Sequence, residues 1–465
     1  MTDIADLMTT EAESATPVRL VAAERVEAVL KALPEAQAAW ARRAGFCGRP
    51  GEVVLLPDAQ GAVALALAGA GAADDAPSMA PGALADRVPA GVYRFVFDDA
   101  PHVNPALATL GWLLSAYRFD HYRNGGGREW PRLAPPEGVD AAALMRQAEA
   151  VFFGRNLINT PALDLGPAEM AAHARKLAEE FGADFEEVTG AKLRRGFPMI
   201  HAVGMAAAEE RAPRLIDLRF GDSGPRVTLV GKGVCFDTGG LDIKPANAMR
   251  LMKKDMGGAA AALACARMIM AEKLPVRLRV LIPAVENAVA GPAFRPGDVL
   301  RSRKGLTVEV GNTDAEGRLI LADALTLADE EAPEALVDFA TLTGAARVAL
   351  GPQLPAMFAS DDARAEQLLA TARTQDDPLW RLPLWAPYLD DMRSDIADIN
   401  NIAGNGFAGA ITAALFLSRF VERARCWLHL DLFGWNPKAA PGRPKGGEPQ
   451  GARAVFHFIR ELVAS

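Results

Sequence analysis

A glycine-punctuated segment at residues 230–245, VGKGVCFDTGGLDIKP, carries an unusual density of charge directly after an apolar run. It contains Lys232, Asp237 and Lys244. Carboxylates of this kind are ligands for divalent metals, and lysines stabilise developing negative charge. Taken alone, the segment fits equally well a solvated loop whose glycines supply positive φ angles. The choice between the two interpretations depends on other segments.

Two further segments place carboxylates at the expected starts of helices. Asp255, in MKKDMGG, precedes an alanine-rich run, where an acid is common simply because it caps a helix and favours its dipole. Asp314 and Glu316 lie two residues apart in a predicted turn within GNTDAEGRL (311–319), with Arg318 beside them. An Asx-turn would explain Asp314 but not the whole charged constellation.

Four carboxylates on neighbouring loops repel one another unless cations lie between them. Two divalent ions supply four positive charges and share bridging carboxylates. Oxygen donors suit Mg²⁺, Mn²⁺ and Zn²⁺, whereas a lysine nitrogen binds only after losing its proton, which a nearby metal pair favours. The sequence therefore predicts a two-metal site that contains Asp237, Asp255, Asp314 and Glu316, with Lys232, Lys244 and Arg318 among them.

Other familiar catalytic signatures do not occur in the sequence. It contains no HExxH, GxSxG or GxxxxGK[ST] motif, and its six histidines are scattered without a helical pair. Imidazole ligands are therefore not expected at the metal site.

The larger part of the chain shows the pattern of a doubly covered parallel sheet. Apolar strand-like runs at 226–231, 276–285, 307–311 and 335–341 alternate with helical stretches at 257–273 and 318–331. Near-continuous apolar strands that alternate with helices predict a mostly parallel central sheet flanked by helices. Sites in such sheets gather at the carboxyl ends of strands, where the charged segments lie.

The amino-terminal part predicts a second, smaller domain. Three strand-like runs between residues 51 and 99 precede a helical stretch at 104–122, and a Gly- and Pro-rich segment follows at 123–138. A chain of 465 residues also exceeds what one core usually organises. We expect an α/β protein with a smaller N-terminal α/β domain (1–138) and a large catalytic domain (139–465) that opens with a helix at 140–159.

Composition restricts the partners and the compartment. A net charge of −8 opposes attraction to phosphate backbones, so nucleic acid is an improbable partner. The four cysteines form no CxxC pair and are expected to be reduced and buried. The N-terminus lacks the order of a signal peptide, and no apolar run approaches the roughly 20 residues of a membrane helix. We expect a cytoplasmic protein with no membrane partner.

Several motifs occur in an order that resembles the leucyl (cytosol) aminopeptidase family. NTDAEGRL (312–319) is the most specific, and VGKGxxFDTGGxxIKP, MKxDM, ATLTGA (340–345) and AGAITAALFLSRF (408–420) accompany it. NTPALDLGPAEMA (159–171) is similar to the family's entry to its catalytic domain, so the resemblance covers about residues 150–465. Only LGWLLSAYRFDHY (110–122) is familiar in the amino-terminal part, and Lys254 departs from the apolar or aromatic residue that is commoner in MKxDM.

The resemblance implies a ligand set for two ions per subunit, with Mn²⁺ or Zn²⁺ as first choices and Mg²⁺ as a third. One ion would bind Asp237, Glu316 and Asp314, including a backbone oxygen of Asp314. The other would bind Lys232, Asp237, Asp255 and Glu316.

The resemblance also implies a reaction, the removal of an N-terminal leucine or similar residue from a peptide by a water that bridges the metals. Lys244 would stabilise the oxyanion, and Arg318 would hold a bicarbonate that acts as general base. The family assembles as a homohexamer, which is the expectation here.

The pocket for the substrate's N-terminal residue, called the first pocket below, would be lined by Met252, Thr341 and Gly344. Backbone groups around Leu342 would hold the peptide. An ordinary core position is the alternative for the three lining residues.

Two alternative functions remain open at the level of sequence. Paired metals also support phosphoester hydrolysis, although such sites often include histidines, and none stands beside these carboxylates. A structural or nucleic-acid-binding oligomer with an incidental hydrolytic site is the alternative from another class, and the acidic balance gives it no support.

Overall fold

The computed structural model describes residues 4–123 and 128–464, and it divides them into two compact units. The first unit comprises the described residues up to Phe152 together with 373–376 and 438–445, and the second comprises the rest. The division falls inside a helix, whereas the sequence places the domain boundary after residue 138, and that boundary stays a prediction. Residues 124–127 of the predicted Gly- and Pro-rich segment lie outside the described residues.

The first unit is built on a five-stranded sheet with the order β2-β3-β1-β4-β5, in which β2 is antiparallel to β3 and the other pairs are parallel. Its strands are β1 Thr16–Ala22, β2 Val53–Pro57, β3 Val63–Gly71, β4 Val92–Asp99 and β5 Arg132–Ala134. Its helices are α1 Val26–Ala32, α2 Glu35–Arg43, α3 Pro105–Ser115 and the start of α4 Ala141–Asn159, with 3₁₀ turns at Ala5–Leu7, Ala23–Arg25 and Ala80–Gly82.

Helix α3 shows how the sequence sets an element of this unit. The Asn104 side chain accepts hydrogen bonds from the backbone N–H groups of Ala106 and Leu107, and Pro105 occupies the first helical position. The helix ends at Ser115, so the helical prediction over 104–122 is too long at its carboxyl end. Trp112 is completely buried and anchors α3 in the core of this unit.

The second unit contains the remaining elements. Its strands are β6 Asp184–Thr189, β7 Arg214–Phe220, β8 Arg226–Gly231, β9 Gly233–Asp237, β10 Arg277–Asn287, β11 Val299–Arg301, β12 Thr307–Glu309, β13 Ala335–Ala340, β14 Ala356–Ala359, β15 Trp380–Arg381, β16 Ile399–Asn400, β17 Trp427–Asp431, β18 Trp435–Asn436 and β19 Gly446–Gly447. Its helices are α5 Pro167–Phe181, α6 Gly190–Gly196, α7 Pro198–Gly204, α8 Ala246–Met249, α9 Gly257–Ala271, α10 Glu316–Asp329, α11 Gly344–Leu350, α12 Asp362–Thr374, α13 Gly409–Ser418 and α14 Ala452–Ala464. 3₁₀ turns lie at Glu209–Arg211, Met252–Lys254 and Ala386–Met392.

A nine-stranded, mostly parallel sheet organises this unit and confirms the predicted fold class. Eight strands follow the order β15-β14-β17-β13-β8-β10-β7-β6, and β9 pairs with β10. The central strands β17, β13, β8 and β10 are parallel, whereas β14, β7 and β6 run antiparallel to their inner neighbours. Every residue of β13 is buried, so both faces of the sheet are covered there.

Small residues let helix α9 lie close to the sheet. A Cβ atom at Gly258 would clash with the carbonyl of Phe339 in β13, so only glycine fits at that contact. The alanines of α9 other than Ala271 are buried as well, which explains why this stretch of sequence is so rich in alanine.

The structure gives the environment of each cysteine and the length of each described helix. Cys235, Cys265 and Cys426 are free and buried, but Cys47 is exposed, so the expectation that all four thiols are buried is wrong for Cys47. Among the helices that the structure describes, none combines the length and the apolar character needed to cross a membrane.

Candidate metal centre

The charged residues lie where parallel strands of the second unit end. Lys232 directly follows β8, and Asp237 and Asn287 are the last residues of β9 and β10. Thr341 follows β13, and Asp431 ends β17. Because β8, β10, β13 and β17 run parallel, their carboxyl ends meet at one edge of the sheet.

A buried cluster of three carboxylates surrounds Lys232. Asp237, Asp255 and Glu316 offer oxygen atoms that all lie within 4.8 Å of one another, and each residue is at most 3% exposed. The Lys232 ammonium is 2.8 Å from Oδ2 of Asp255 and 2.9 Å from Oε1 of Glu316. It also donates a hydrogen bond of 2.9 Å to the Thr341 carbonyl. The ammonium therefore lies where it offsets part of the charge of two carboxylates of the cluster.

A second lysine joins the remaining predicted carboxylate to the cluster. The Lys244 ammonium is 2.8 Å from Oδ2 of Asp237 and also pairs with Oδ1 of Asp314. The Asp314 side chain is one-third exposed, unlike the three buried carboxylates. Lys244 and Asp314 thus form the more accessible side of the site.

Concentrated charge in a buried place shifts the pKa values of these groups. Burial, reinforced by the charge of Asp237, raises the pKa of Glu316 to about 8 and that of Asp314 to about 6. Burial also raises the pKa of Asp255. Burial opposes the charge on Lys232, but Asp255, Glu316 and Asp237 outweigh it and raise the pKa of that lysine. In the absence of a metal ion, the carboxyl groups of the cluster therefore hold protons more tightly than usual. Bound cations would replace those protons.

Glycines shape the cluster by leaving room for its side chains. A Cβ atom at Gly317 would lie 2.7 Å from Nζ of Lys232, so a larger residue there would displace the lysine. Gly239 has a φ of +88°, in the left-handed region, and its N–H donates to Oδ1 of Asp237 over 2.9 Å. Gly239 of the first motif and Gly317 of NTDAEGRL therefore both serve the geometry of the site.

The residues present fit a divalent metal centre. Oδ2 of Asp255 and Oε1 of Glu316 are buried and, within the part of the chain that the structure describes, accept no well-directed hydrogen bond. Lys232 is the cation that faces both oxygens. Buried carboxylate oxygens in this state are typical of a metal site, and oxygen-rich sets suit Mn²⁺, Zn²⁺ and Mg²⁺.

Glu316 lies in a helix, not in the predicted turn, and Arg318 lies in the same helix. Asn312 forms the turn by accepting a 2.7 Å hydrogen bond from the Asp314 backbone N–H, and α10 then begins at Glu316 rather than at residue 318. Arg318 is buried in the first turn of α10 and donates to the Asn401 carbonyl over 2.6 Å. Burial lowers the pKa of Arg318 to about 10, so it remains a cation at neutral pH.

The residues predicted to contact substrate occupy different environments. Thr341 is buried, and its hydroxyl donates to Oδ1 of Asp255 over 2.9 Å. Met252 is half-buried, and its carbonyl accepts a 3.1 Å hydrogen bond from the Asp255 N–H. Leu342 is half-buried, whereas Gly344 is exposed and begins α11. Neither Met252 nor Gly344 is an ordinary core residue.

Two buried residues that sequence reasoning did not single out support the site. The Asn287 amide donates to Oδ1 of Asp237 over 2.9 Å and to the Thr313 carbonyl over 3.1 Å. Oδ1 of Asp431 accepts hydrogen bonds from the backbone N–H groups of Leu342 and Thr343, over 3.0 and 3.1 Å. Each is a polar residue that ends a buried apolar strand, and that position is the signal that could have identified it.

Comparisons with known protein families identify both parts of the chain. The profile described as "Cytosol aminopeptidase family, catalytic domain" matches residues 152–456, and "M17 aminopeptidase, N-terminal domain" matches residues 16–136. The probable cytosol aminopeptidase of Roseiflexus castenholzii is 42% identical over 397 residues, which cover 80% of either chain. That of Leifsonia xyli is 41% identical over 444 residues, covering 90% of this chain and 88% of the relative.

Solved structures show the same fold. The crystal structure of cytosol aminopeptidase from Coxiella burnetii has a TM-score of 0.91 at 44% identity and covers 99% of this chain and 100% of that one. The bottromycin maturation enzyme BotP in complex with Mn has a TM-score of 0.87 at 35% identity, covering 97% and 100%. With a family profile over its catalytic part and relatives of this identity along most of its length, the chain belongs to the cytosol aminopeptidase family.

Proposed function

We propose that this protein is a two-metal aminopeptidase that hydrolyses the bond after the N-terminal residue of peptides, with leucine and similar residues among its substrates. The observation that carries the proposal is the buried cluster of Asp237, Asp255 and Glu316, within 4.8 Å of one another, in a chain of the cytosol aminopeptidase family. A buried anionic cluster of this size is costly unless cations share it.

The proposed ligands divide into two sets that share Asp237 and Glu316. Asp314, with its backbone oxygen, completes one set, and Lys232 and Asp255 complete the other. When bound, a divalent pair supplies an acidified water and a polarising charge for a peptide carbonyl. Mn²⁺ is supported by the related BotP structure, which contains Mn; Zn²⁺ and Mg²⁺ fit the same oxygen-rich donors.

Lys244 is proposed to stabilise the oxyanion that forms on the substrate carbonyl. Its side chain is 13% exposed, on the more accessible side of the site, so its ammonium can meet a substrate. Asp237 raises the pKa of Lys244 against the effect of burial, so the side chain stays positively charged throughout the neutral range. A fixed positive charge at that position favours the transition state over the neutral carbonyl.

Arg318 is proposed to hold a bicarbonate that moves protons as the general base. The guanidinium is buried, its Nη1 is held by the Asn401 carbonyl, and its Nε has no hydrogen-bond partner among the described residues. An arginine with a free donor binds a planar oxyanion well. The carboxylates of the site are assigned to metals, so a bound anion is a sensible proton carrier.

Peptide binding is proposed to depend on the free α-amine and on the rim of the site. Met252, Thr341 and Gly344 would line the first pocket, and the Leu342 carbonyl would accept a hydrogen bond from the peptide. The Leu342 N–H already donates to Asp431, which fixes the direction of that peptide group.

We also propose a cytoplasmic location and assembly as a homohexamer. The first is supported by relatives that are named cytosol aminopeptidases. The second rests on the family resemblance of the sequence, and its direct measurement is the mass of the protein in solution.

The test uses metal-stripped protein, leucine p-nitroanilide, and Mn²⁺, Zn²⁺ or Mg²⁺ added back. We expect metal-restored release of nitroaniline by the wild type and by the exposed control Glu366→Ala, and a loss of at least about 100-fold in Glu316→Ala, since a bridging ligand is removed. Folded protein that hydrolyses no N-terminal residue with any metal, or that hydrolyses nitrophenyl phosphate instead, would refute the proposal.

A further inference from the structure

Lys254 is a buried lysine that forms no ion pair or hydrogen bond with any residue the structure describes, although the charges of Asp255 and Asp431 act on it from farther away. The residue is 5% exposed, and within the described residues its ammonium makes no ion pair and no hydrogen bond. The ammonium lies over the face of the Phe433 ring, whose centroid is 4.6 Å from Nζ. Burying an ammonium in this way is unfavourable unless an anion compensates it. A buried lysine of this kind therefore points to a ligand that carries negative charge.

Arg347 is a second cation on the same aromatic ring. Its guanidinium carbon lies 5.3 Å from the Phe433 centroid, and no carboxylate of the described residues pairs with it. Unlike Lys254, Arg347 is exposed, in the last turn of α11. The ring of Phe433 therefore has two cations as neighbours, one buried and one open to solvent.

These cations flank the residues proposed to line the first pocket. Nη2 of Arg347 lies 3.8 Å from the position that a Cβ atom would occupy at Gly344. A Cβ atom at Gly434, next to Phe433, would lie 3.1 Å from Cγ2 of Thr341. Lys254 immediately precedes Asp255, whose carboxylate accepts the Thr341 hydroxyl. Both cations therefore stand beside the place where the substrate's first side chain is expected.

The nearby carboxylates do not neutralise Lys254, because other groups hold them. Asp255 faces the Lys232 ammonium and the Thr341 hydroxyl. Asp431 accepts hydrogen bonds from the Leu342 and Thr343 backbone and from the Thr343 hydroxyl. Lys254 is left with an aromatic face, which is a weaker partner than a carboxylate.

We propose that the first pocket recognises an acidic N-terminal residue, glutamate or aspartate, whose carboxylate is received by Lys254 and Arg347. The inference rests on the proposed aminopeptidase function and names a substrate class for it. The same two cations would repel an N-terminal lysine or arginine. Lys254 and Arg347 are thus specificity-determining residues, and acidic residues extend the range of substrates beyond leucine.

The test compares the metal-loaded enzyme on peptides X-Ala-Ala-amide in which X is Glu, Gln, Leu or Lys. Gln matches Glu in shape without its charge, and the C-terminal amide removes a competing carboxylate. We expect kcat/KM for Glu to exceed that for Gln by about 10-fold or more, the usual effect of a hydrogen bond to a charged group. Lysine should be the poorest substrate of the four.

Substitutions assign this preference to the two cations. Lys254→Met and Arg347→Gln should each lower the Glu-to-Gln ratio by several-fold or more, while Lys254→Arg should retain most of it. Lys192→Met, at an exposed lysine of α6, is the matched control and should keep the wild-type ratio. Because Lys254→Met removes a buried cation without a partner, its melting temperature should not fall below that of the wild type. Arg347 is exposed, so Arg347→Gln should fold like the wild type whatever the melting temperature of Lys254→Met.

Each outcome decides the proposal. Activity on leucine with a Glu-to-Gln ratio near one, or with a ratio that neither substitution changes, would overturn acidic recognition and leave the proposed function standing. An effect of Lys254→Met on free dipeptides but not on the amides would also overturn it, since the lysine would then bind a C-terminal carboxylate. No activity on any peptide would instead count against the proposed function itself.

Discussion

Metal binding to the carboxylate cluster should release protons, and its affinity should rise steeply with pH. Glu316 has a pKa of about 8 in the metal-free protein and Asp314 a pKa of about 6, both raised above their ordinary values. A metal binds only the ionised carboxylates. The pH therefore acts on affinity through the fraction of each group that is already ionised.

The magnitude follows from these two values. Glu316 is about 1% ionised at pH 6 and about half ionised at pH 8, so its proton alone weakens binding by roughly 50-fold at the lower pH. Asp314 is about half ionised at pH 6, which adds about twofold. The two carboxylates thus predict an apparent Kd that falls about 100-fold between pH 6 and 8. If Lys232 also loses its proton to become a ligand, each pH unit adds roughly another tenfold.

Competition between the protein and a chelator for Mn²⁺ at pH 6, 7 and 8 measures this slope. Calorimetry in buffers of different ionisation enthalpy counts the released protons directly. Glu316→Gln should lose the part of the pH dependence of affinity that comes from the Glu316 carboxylate. Lys232→Met should release about one proton fewer on metal binding. Glu366→Gln, at an exposed position, should match the wild type in both measurements. An affinity that changes less than about threefold across this range, once the chelator is corrected for, would refute the argument from burial.

Three further substitutions test the surroundings of the site. Gly317→Ala should cost at least about tenfold in metal affinity because its Cβ would lie 2.7 Å from Nζ of Lys232, whereas Gly196→Ala, which has no atom nearer than 3.8 Å, should be neutral in the same chelator titration. Asp431→Ala should raise KM and lower stability by about 1–3 kcal/mol, since two backbone N–H groups lose their acceptor; unchanged kinetics and urea unfolding would contradict this. Asp338→Asn should lower the free energy of unfolding by about 3–5 kcal/mol because it breaks a fully buried 2.6 Å pair with His429. Asp338 outweighs burial and raises the pKa of His429 above its ordinary 6.5, so the stability from this pair is full below pH 6.5 and declines as pH rises through the raised value. Urea titrations at several pH values should therefore show wild type and Asp338→Asn converging on the alkaline side.

Local patterns in the sequence predicted three central strands of the nine-stranded sheet, β8, β10 and β13, but not its outer strands. The apolar run at 226–231 coincides with β8, and the run at 335–341 ends one residue beyond β13. Such runs are informative because a strand buried on both faces has to be apolar along its length. The prediction was less accurate for α10, where an Asx-turn ends at Asp314 and places Glu316 inside the helix.

The contacts between residues of the site could not be predicted in the same way, because the partners are distant in sequence. Asn287 reaches Asp237 across 50 positions, and Lys244 reaches Asp314 across 70. No periodicity within one segment records such a contact. The parallel order of the strands does bring their carboxyl ends together, and that order becomes certain only when the sheet is known.

The arrangement of lysines explains how so many buried carboxylates coexist before metals bind. Lys232 lies between Asp255 and Glu316, and Lys244 lies between Asp237 and Asp314, so each ammonium offsets part of the charge of two carboxylates. In the proposed holoenzyme these roles separate: Lys232 becomes a neutral ligand, while Lys244 keeps its charge for the substrate. Their surroundings support that division, because Lys232 is 3% exposed and faces the metal ligands, whereas Lys244 is 13% exposed on the accessible side. Lys254 belongs to neither pair, and in the proposal it serves the substrate's own side chain together with Arg347.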